Sequence, residues 1–593
     1  MAPFLPLLAL FASVAHASFL GLERRAPANI TWERCPNTNS SSRLECATAQ
    51  VPLDWNDTSK GDIPLSLIRL PAQNNTREGY MFFNPGGPGI PGTHALIAYG
   101  EFFQAKLGAG WDIVSWDTRG LLQSGPNITV FANDTDYDAY WTQYQGLGKL
   151  SARGNLTQSA DVDFFMSQVS AFDNLTMTLN QKMVEKNGDK LKYIGTCANV
   201  RDLVYLVDSM YGEGSDVNFW GLSYGTVIGT YLTQMFPERV GRVILDGVYD
   251  PEKYANLPPL KWFDIDPLTR DKALLMWAQA CAAGQNCTAS QAMPNATAEA
   301  LLAQIEVVLD TAHRNYNGFA WTDASQKNET ALMDPNSYSW EIIAASIFSA
   351  LYDPVSWGAI ADGLPQIAAL QQNRTAKAKF TGFPLLSAPR YGEVSEDRLD
   401  MVTIAIYCSD TVDPAGETTE DLFKAYVHAS QNISTLAGAV ISANMRSHCH
   451  RYTSRAVERL PQKMNKKPKN VVLVIGNSGD HITPFQSARR LASSEFLGTQ
   501  ARLLQFNAPG HGSHIFASTC ADDVVRKFIR GTPPADSGND EADVICDVDI
   551  TPYGPVPEAW KDRSDDTQTD DAMRLLAQRF YYYLLLLPLL IFI

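Results

Sequence analysis

The segment at residues 218–236 limits the fold of this chain more than any other feature. A short apolar run at 218–222 reaches Gly-Leu-Ser-Tyr-Gly, and a helical pattern starts directly afterwards. Small residues on either side permit the strained strand-to-helix turn that exposes the hydroxyl of Ser223. The alternative is a tight turn whose serine has no chemical role. The context predicts an open α/β sheet with a nucleophilic serine at its edge.

Short apolar, β-branched runs alternate with longer helical patterns over most of the chain. Most of these runs lead into Gly, Asp, Pro or Asn, as buried parallel strands do. The alternation predicts the α/β class, with a mostly parallel sheet and helices on both faces. The expected strands are 65–70, 80–84, 112–116, 218–222, 242–245, 471–475 and 502–506, and the expected helices include 197–211 and 226–236.

The alternation is interrupted at residues 251–395, which are mostly helical in pattern and rich in Ala, Leu and Trp. An insertion after a sheet strand predicts a helical cap over the strand ends, where open α/β sheets bind ligands. We therefore expect an α/β core at 28–250 and 396–550 with the cap at 251–395 between its two parts, a signal peptide at 1–17, and a polar segment with an apolar tail at 551–593.

Charge and ligand patterns exclude several classes of partner. The formal net charge of −16 makes a nucleic-acid partner unfavourable, because the phosphate backbone attracts positive charge. His448-Cys449-His450 lacks a second ligand pair at zinc-like spacing, and the glycine-rich stretch 84–89 lacks the Lys-Ser/Thr ending of a phosphate loop. We expect no metal and no cofactor.

Three features predict a secreted, extracellular protein. The apolar run 4–14 followed by Ala15-His16-Ala17 has the form of a signal peptide with its cleavage site. Proximity suggests four disulfides, which join Cys35 with Cys46, Cys281 with Cys287, Cys408 with Cys449 and Cys520 with Cys546, and leave Cys197 free. There are also thirteen Asn-x-Ser/Thr sequons, at Asn29, Asn39, Asn56, Asn74, Asn127, Asn133, Asn155, Asn174, Asn286, Asn295, Asn328, Asn373 and Asn432.

The C-terminal tail at 581–593 has no charged residue but is shorter than the roughly 20 residues that span a bilayer. A polar segment precedes it, as in a glycolipid-anchor signal. An amphipathic terminal helix is the alternative. A membrane is an expected partner only if the tail is an anchor signal.

Serine chemistry needs a general base that is oriented by an acid, and in open α/β sheets these residues follow the serine in the order acid, then histidine. Asp480 follows the expected strand 471–475, so we choose it as the acid. Either His511 or His514 can be the base after the strand 502–506, and the glycines around His511 favour it. We interpret His481 as a surface neighbour of the acid.

Acyl transfer also needs hydrogen-bond donors for the oxyanion. The backbone N–H of Tyr224, directly after the serine, is one candidate. The loop after the strand 80–84 is rich in glycine, and we choose the N–H of Gly87 as the second donor.

Seven motifs together resemble the secreted tripeptidyl-aminopeptidase-like α/β-hydrolases, which are relatives of the prolyl aminopeptidases with a characteristic C-terminal domain. They are NPGGPG at 84–89, WDTRG at 116–120, GLSYGT at 221–226, LDGVYDP at 245–251, AIYCSD at 405–410, GDHITP at 479–484 and GHGS at 510–513. The resemblance implies serine hydrolysis of peptides from a free N-terminus, with Ser223, Asp480 and His511 as the triad. The chain departs from the family where Leu121-Leu122 follows Gly120, which concerns specificity more than chemistry.

An aminopeptidase must bind a protonated amine, and a buried cation needs an anionic partner. Asp246 and Asp410 are the candidates, although for each residue alone a structural role in N-capping or loop hydrogen bonds is the favoured alternative. The expected partner is therefore a peptide, with a small ester as the alternative for a serine esterase. A non-catalytic cell-surface binding protein on the same fold is the alternative from another class. A serine carboxypeptidase is disfavoured, because Leu222 stands where those enzymes have Glu.

Overall fold

The computed structural model describes most of the chain between residues 30 and 553. The expected signal peptide and the tail from 554 onward lie outside the described residues. The described ranges are 30–36, 42–73, 77–137, 139–140, 152, 154–262, 266–284, 286–293, 295–314, 340–352, 354–372, 397–414, 416–438, 445–460, 463–538 and 541–553.

The described strands form one ten-stranded sheet in the order β1-β2-β3-β5-β4-β6-β7-β8-β9-β10. The first three strands and the β3–β5 pair are antiparallel, and every pairing from β5 to β10 is parallel. The strands are β1 Glu33–Arg34, β2 Glu45–Pro52, β3 Asp62–Leu70, β4 Gly79–Asn84, β5 Trp111–Trp116, β6 Val217–Leu222, β7 Val240–Asp246, β8 Val472–Gly479, β9 Ala501–Pro509 and β10 Val544–Asp547.

All seven expected strands are present, and the α/β class is confirmed. The expectation of a parallel strand is wrong for residues 65–70, because β3 pairs antiparallel with both of its neighbours. The edge strands β1, β2 and β10 were not expected. They are short or mix polar and apolar residues, so they lack the continuous apolar run of a buried strand.

Fifteen helices are described around the sheet. Their bounds are α1 Gly92–Leu107, α2 Ser159–Met166, α3 Val169–Asn187, α4 Thr196–Tyr211, α5 Tyr224–Met235, α6 Pro251–Asn256, α7 Asp266–Ala283, α8 Thr288–Gln291, α9 Ala298–Arg314, α10 Trp340–Ala350, α11 Trp357–Gln372, α12 Asp397–Asp410, α13 Thr419–Asn432, α14 Phe485–Ala492 and α15 Thr519–Ile529.

Helices cover both faces of the sheet because its strands are apolar on both sides. Along β4, the side chain of Phe82 belongs to one buried cluster, with α4, α5 and α14. Its neighbours Met81 and Phe83 belong to the other cluster, with α1 and α15. Successive side chains of a strand point to opposite faces, so each central strand contributes to both cores.

The expected cap is larger than the interval 251–395. Of the described residues between β7 and β8, none forms a sheet strand, so the sheet resumes only at Val472 and not near 396. The helix α13 packs on α2 and α3, which come from the connection between β5 and β6; the ring of Phe423 lies 4.5 Å from that of Phe165 and 5.8 Å from that of Phe172. Two separate insertions therefore build one helical layer, because both leave an apolar helix face to bury.

Four disulfides are present, in the pairs that proximity along the chain suggests. Cys35 is bonded to Cys46, Cys281 to Cys287, Cys408 to Cys449 and Cys520 to Cys546. Cys197 is free and buried, as expected. The Cys35–Cys46 disulfide lies near one edge of the sheet, because Cys46 is on β2. The Cys520–Cys546 disulfide lies at the opposite edge, because Cys546 is on β10. The disulfide of Cys287 closes a short loop directly after α7.

The sequons mostly lie at the surface. Among the eight sequon asparagines that the structure describes, Asn155 is half-buried and seven are exposed. These are Asn56, Asn127, Asn133, Asn174, Asn286, Asn295 and Asn432. A search of the described helices finds none with the length and apolar character needed to cross a membrane.

Candidate active site

Ser223 lies in a strained turn between β6 and α5. Its φ of 51° and ψ of −120° are unusual for a residue with a side chain. Glycine is required on both sides, because a Cβ at Gly221 would lie 2.2 Å from the carbonyl oxygen of Gly225, and one at Gly225 would lie 2.7 Å from that of Asn84. The N–H of Ser223 donates to the carbonyl of Asp246 at 3.0 Å, which fixes the turn against β7. The elbow expected from the sequence is therefore present.

Asp480 and His511 form a buried pair beyond the ends of β8 and β9. Oδ2 of Asp480 lies 2.8 Å from Nδ1 of His511 and also accepts the hydroxyl of Thr483 at 2.7 Å. Oδ1 accepts the backbone N–H groups of Ile482 and Thr483, both at 2.8 Å. Burial raises the pKa of Asp480, but the charge and hydrogen bond of His511 and the bonds from Thr483 outweigh it, so the net pKa is lowered. The ionised carboxylate orients the imidazole with Nδ1 as the donor and Nε2 as the free acceptor.

His511 and Ser223 both lie against the end of β7, at Gly247 and Asp246 respectively. A Cβ placed on Gly247 would lie 3.4 Å from Cε1 of His511, so the imidazole packs over this glycine. The preceding residue, Asp246, is the one whose carbonyl holds Ser223. The inserted helices cover the other side of His511, because Tyr352 accepts its backbone N–H at 3.0 Å and places its own ring 4.9 Å from the imidazole.

The glycine-rich loop after β4 lies against the elbow. A Cβ on Gly86 would be 2.8 Å from Cβ of Ser223 and 3.2 Å from the backbone nitrogen of Tyr224, so only glycine permits this approach. The next residue, Gly87, has a φ of 102°. Tyr224 opens α5, where backbone N–H groups have no partner within the helix. The two residues chosen as oxyanion donors thus lie on segments in contact beside Ser223.

The two other histidines near the acid pack into the protein, where His481 is buried and His514 is half-buried. Burial, together with the positive charges of His511 and Lys106, lowers the pKa of His514 to about 3, and its ring lies 6.3 Å from that of Phe103. The expectation that His481 is a surface neighbour is wrong, since it is 1% exposed and burial lowers its pKa to about 3. It is buried because the inserted helix α7 covers it, with Thr269 donating to its carbonyl at 3.1 Å. Of these three histidines, His511 is the one that contacts the carboxylate of Asp480.

Asp246 is fully buried and bonded within the protein. Its carboxylate accepts the backbone N–H of Ser513 at 2.9 Å and the hydroxyl of Ser513 at 2.6 Å. Burial raises its pKa, against the effect of these two bonds. Asp246 therefore ties the histidine loop to β7 and presents no surface to a substrate amine.

Asp410 is likewise buried, at 2% exposure. It accepts the N–H of Thr196 at 2.9 Å, the hydroxyl of Thr196 at 2.5 Å and the hydroxyl of Tyr254 at 3.1 Å. Burial raises its pKa to about 6, against these hydrogen bonds. The amine-binding role considered for this residue does not fit its position.

Two contacts of the site carry little signal in the sequence. The hydroxyl of Thr483 touches both the acid and Nδ1 of His511, at 2.7 and 3.0 Å. The one sequence signal for Thr483 is its position three residues after Asp480 in the GDHITP motif. The carbonyl of Tyr352 lies in the inserted region, and nothing in the local sequence connects it to His511.

The His448-Cys449-His450 stretch is occupied by protein contacts. Cys449 is in a disulfide, Nε2 of His448 lies 3.3 Å from the hydroxyl of Tyr140, and His450 contacts Thr419 and the carbonyl of Ser447. Over the described ranges, no group of three ligating side chains is placed to hold a metal ion.

A mostly parallel sheet with a serine elbow after a central strand, and an acid and a histidine beyond later strands, defines an α/β-hydrolase. The chain has the α/β-hydrolase fold, and two segments of it match family models. Residues 81–328 match the model of the alpha/beta hydrolase fold, and residues 434–541 match that of the TAP-like protein.

Curated relatives cover most of the chain. It is 24% identical to the serine protease Hip1 of Mycobacterium tuberculosis, over 85% of this chain and 90% of that one. It is 23% identical to a tripeptidyl aminopeptidase of Streptomyces lividans, over 91% of this chain and 90% of that one. It is 25% identical to the carboxylesterase B of M. tuberculosis, over 86% of this chain and 89% of that one. The chain is thus a hydrolase whose relatives have names from both peptidase and esterase classes.

Proposed function

We propose that the protein is a serine hydrolase that works through an acyl-enzyme, with Ser223 as nucleophile, His511 as general base and Asp480 as the orienting acid. The single observation that carries the proposal is the buried 2.8 Å contact between Asp480 and Nδ1 of His511, beside a serine at a strained elbow. Moving a charged pair out of water costs free energy unless good geometry and further hydrogen bonds compensate for the lost hydration.

In the proposed reaction, Oγ of Ser223 attacks the substrate carbonyl while Nε2 of His511 takes the serine proton. The N–H groups of Gly87 and Tyr224 stabilise the oxyanion of the tetrahedral intermediate. The intermediate collapses as His511 gives the proton to the leaving amine or alkoxide. Water, activated by the same histidine, then attacks the acyl-enzyme, which releases the carboxylic acid product and restores the hydroxyl of Ser223.

The substrate class that we favour is a peptide with a free N-terminus, cleaved to release short N-terminal fragments. The TAP-like segment and the relatives named tripeptidyl aminopeptidase and serine protease support it. Because Asp246 and Asp410 are buried and bonded, the substrate amine must be bound by other groups. A small ester is the second candidate, which is supported by the relative named carboxylesterase B.

One comparison separates these two substrates. We expect kcat/KM for a free chromogenic tripeptide to exceed that for its N-acetylated form by at least about tenfold, as the loss of a charged contact would give. An N-methylated form that keeps the positive charge is the matched control and should remain a good substrate. A free-to-acetylated ratio near one, with fast turnover of simple esters, would contradict the aminopeptidase assignment.

We also propose that the protein acts outside the cell. Four disulfides and seven exposed sequon asparagines support this. Protein purified from the medium of the native host should lose mass on treatment with an N-glycosidase and should begin after Ala17. Retention of the protein in the cytosol with its first residues intact would contradict the proposal.

A further inference from the structure

We propose that helix α12 positions both donors of the oxyanion hole, through the side chains of Thr403, Tyr407 and Asp410. The inference rests on the proposed serine hydrolase function and deepens it. These residues recur at intervals of four and three, so they share one face of the helix. All three side chains are buried. Thr403 and Tyr407 contact the loop beside Ser223, and Asp410 reaches Tyr224 through Thr196.

Two of the three side chains hold the loop that carries Gly87. The hydroxyl of Tyr407 donates to the carbonyl of Gly87 at 3.0 Å. Oγ1 of Thr403 lies within hydrogen-bonding distance of two carbonyl oxygens, that of Pro88 at 2.8 Å and that of Leu399 in its own helix at 2.7 Å. Buried carbonyls outside helices and strands need such partners. The contact is close, because a Cβ on Gly89 would lie 1.9 Å from Oγ1 of Thr403. Helix α12 thereby fixes the position and orientation of the Gly87 loop relative to Ser223.

The third side chain holds Tyr224, the residue after the nucleophile. Oγ1 of Thr196 donates to Oδ2 of Asp410 at 2.5 Å and lies 2.7 Å from the hydroxyl of Tyr224. Because the Thr196 hydroxyl has one hydrogen and an ionised carboxylate only accepts, the Tyr224 hydroxyl is the donor to Thr196. Tyr224 is thus fixed at its backbone by the elbow and at its side chain by a two-bond relay to Asp410.

The helix itself is anchored independently of the site. Cys408 on α12 is bonded to Cys449, and the carbonyl of Ser409 accepts the N–H of Ala456 at 3.0 Å. A fixed helix can impose one geometry on two separate donors. Oxyanion donors must lie about 2.7–3.1 Å from the developing charge, so their positioning affects the transition state more than substrate binding. Thr403, Tyr407 and Asp410 are accordingly positioning residues, which act through Gly87 and Tyr224.

The first test replaces Tyr407 by Phe and measures hydrolysis of p-nitrophenyl acetate, whose acylation does not depend on a peptide side-chain preference. We expect kcat to fall about 10–100-fold with KM changed less than about twofold, because the lost contact serves the transition state. The matched control is Ser409→Ala on the same helix, whose hydroxyl donates to the carbonyl of Ile406 at 3.2 Å. Its kcat should stay within about twofold of the wild type.

A second pair of variants keeps the proposal testable if Tyr407→Phe does not fold. Thr403→Val keeps the side-chain shape but removes the donor, whereas Thr403→Ser keeps the donor. We expect kcat to fall for the valine variant and to be restored at least about fivefold by the serine variant, at equal Tm. A loss of kcat that follows Tm in both variants would mean a purely structural role and would overturn the proposal.

The outcomes also separate this inference from the proposed function. If Ser223→Ala is inactive but Tyr407→Phe and Thr403→Val keep their kcat, the positioning role is wrong and the serine mechanism stands. If Tyr407→Phe raises KM and leaves kcat unchanged, the helix binds substrate and does not position the donors. If Ser223→Ala keeps its activity, the proposed function fails first.

Discussion

Nδ1 of His511 lies 2.8 Å from Oδ2 of Asp480, and the two side chains are 3% and 0% exposed. The contact joins loops that follow two neighbouring parallel strands, so the sheet itself sets the distance. Asp480 also accepts three backbone N–H groups, which hold its carboxylate in one orientation. The position of the imidazole is therefore determined before any substrate arrives.

Asp480→Asn should lower kcat by about 10³–10⁴-fold while the protein stays folded, because an amide can donate to Nδ1 and so favour the wrong imidazole tautomer. Turnover of p-nitrophenyl acetate, with circular dichroism as the folding control, measures this. A residual activity above a tenth of the wild type would show that the carboxylate does not orient the base.

His511→Ala should abolish turnover to about the level of Ser223→Ala, since triad members act as a unit. His514→Ala should retain most of the wild-type kcat and instead lower Tm, because it removes a half-buried ring that packs near Phe103. Measuring kcat and Tm for both variants decides between the two histidines. The reverse ranking in kcat would assign the base to His514.

The pH dependence of stability should depend on His514. Burial lowers its pKa to about 3, whereas an unfolded histidine has a pKa near 6.5, so the fold favours the neutral ring. This contribution is full above about pH 6.5 and is lost as the pH falls toward 3, because the unfolded state binds the proton first. The raised pKa of Asp410, about 6, acts in the opposite sense: its contribution is lost as the pH rises from about 4 to 6.

Denaturant titrations between pH 7 and 4.5 can isolate this contribution. His514→Gln, which does not titrate, should lose less unfolding free energy over this range than the wild type. The control is His428→Gln, which changes an exposed histidine on α13 and should leave the pH dependence unaltered. Equal pH slopes for His514→Gln and the wild type would contradict the neutral state of His514 in the folded protein.

Arg119 in the WDTRG motif should be a determinant of stability. It forms a two-pronged ion pair with Asp202 at 2.7 and 2.8 Å and donates to the carbonyls of Pro52, Leu53 and Tyr193. Arg119→Met leaves the carboxylate of Asp202 buried without its charge partner, which typically costs about 3–5 kcal/mol of unfolding free energy. The control is Arg314→Met, which breaks an exposed pair with Asp310 and should cost no more than about 1 kcal/mol. Similar losses in the two variants would contradict this role.

The sequence predicts the parts of this protein whose signal is local. The central strands are apolar runs that end at turn residues, and the elbow, the acid and the histidine occur as short motifs at strand ends. The edge strand β2 alternates polar and apolar residues, and the four-residue β10 gives almost no pattern, so neither was expected. The extent of the helical layer also escaped prediction, because α2 and α3 have no sequence feature that identifies α13 as their partner.

The roles of the acidic residues show the same limit. Asp246 is the last residue of a sheet strand and Asp410 the last residue of a helix, which is where a ligand-binding acid can lie. Their actual partners, Ser513 and Thr196, are 267 and 214 residues away along the chain. Only the fold brings these pairs together. Once paired, the two carboxylates hold segments of the site in place and are not available to a ligand.

The central claim is that Ser223 is the nucleophile, and labelling with a fluorophosphonate tests it most directly. We predict that the probe stops hydrolysis at one equivalent, that peptide mapping places the phosphonyl group on Ser223, and that Ser223→Ala is folded, unlabelled and inactive. Labelling at another residue, or turnover by Ser223→Ala close to that of the wild type, would contradict the account.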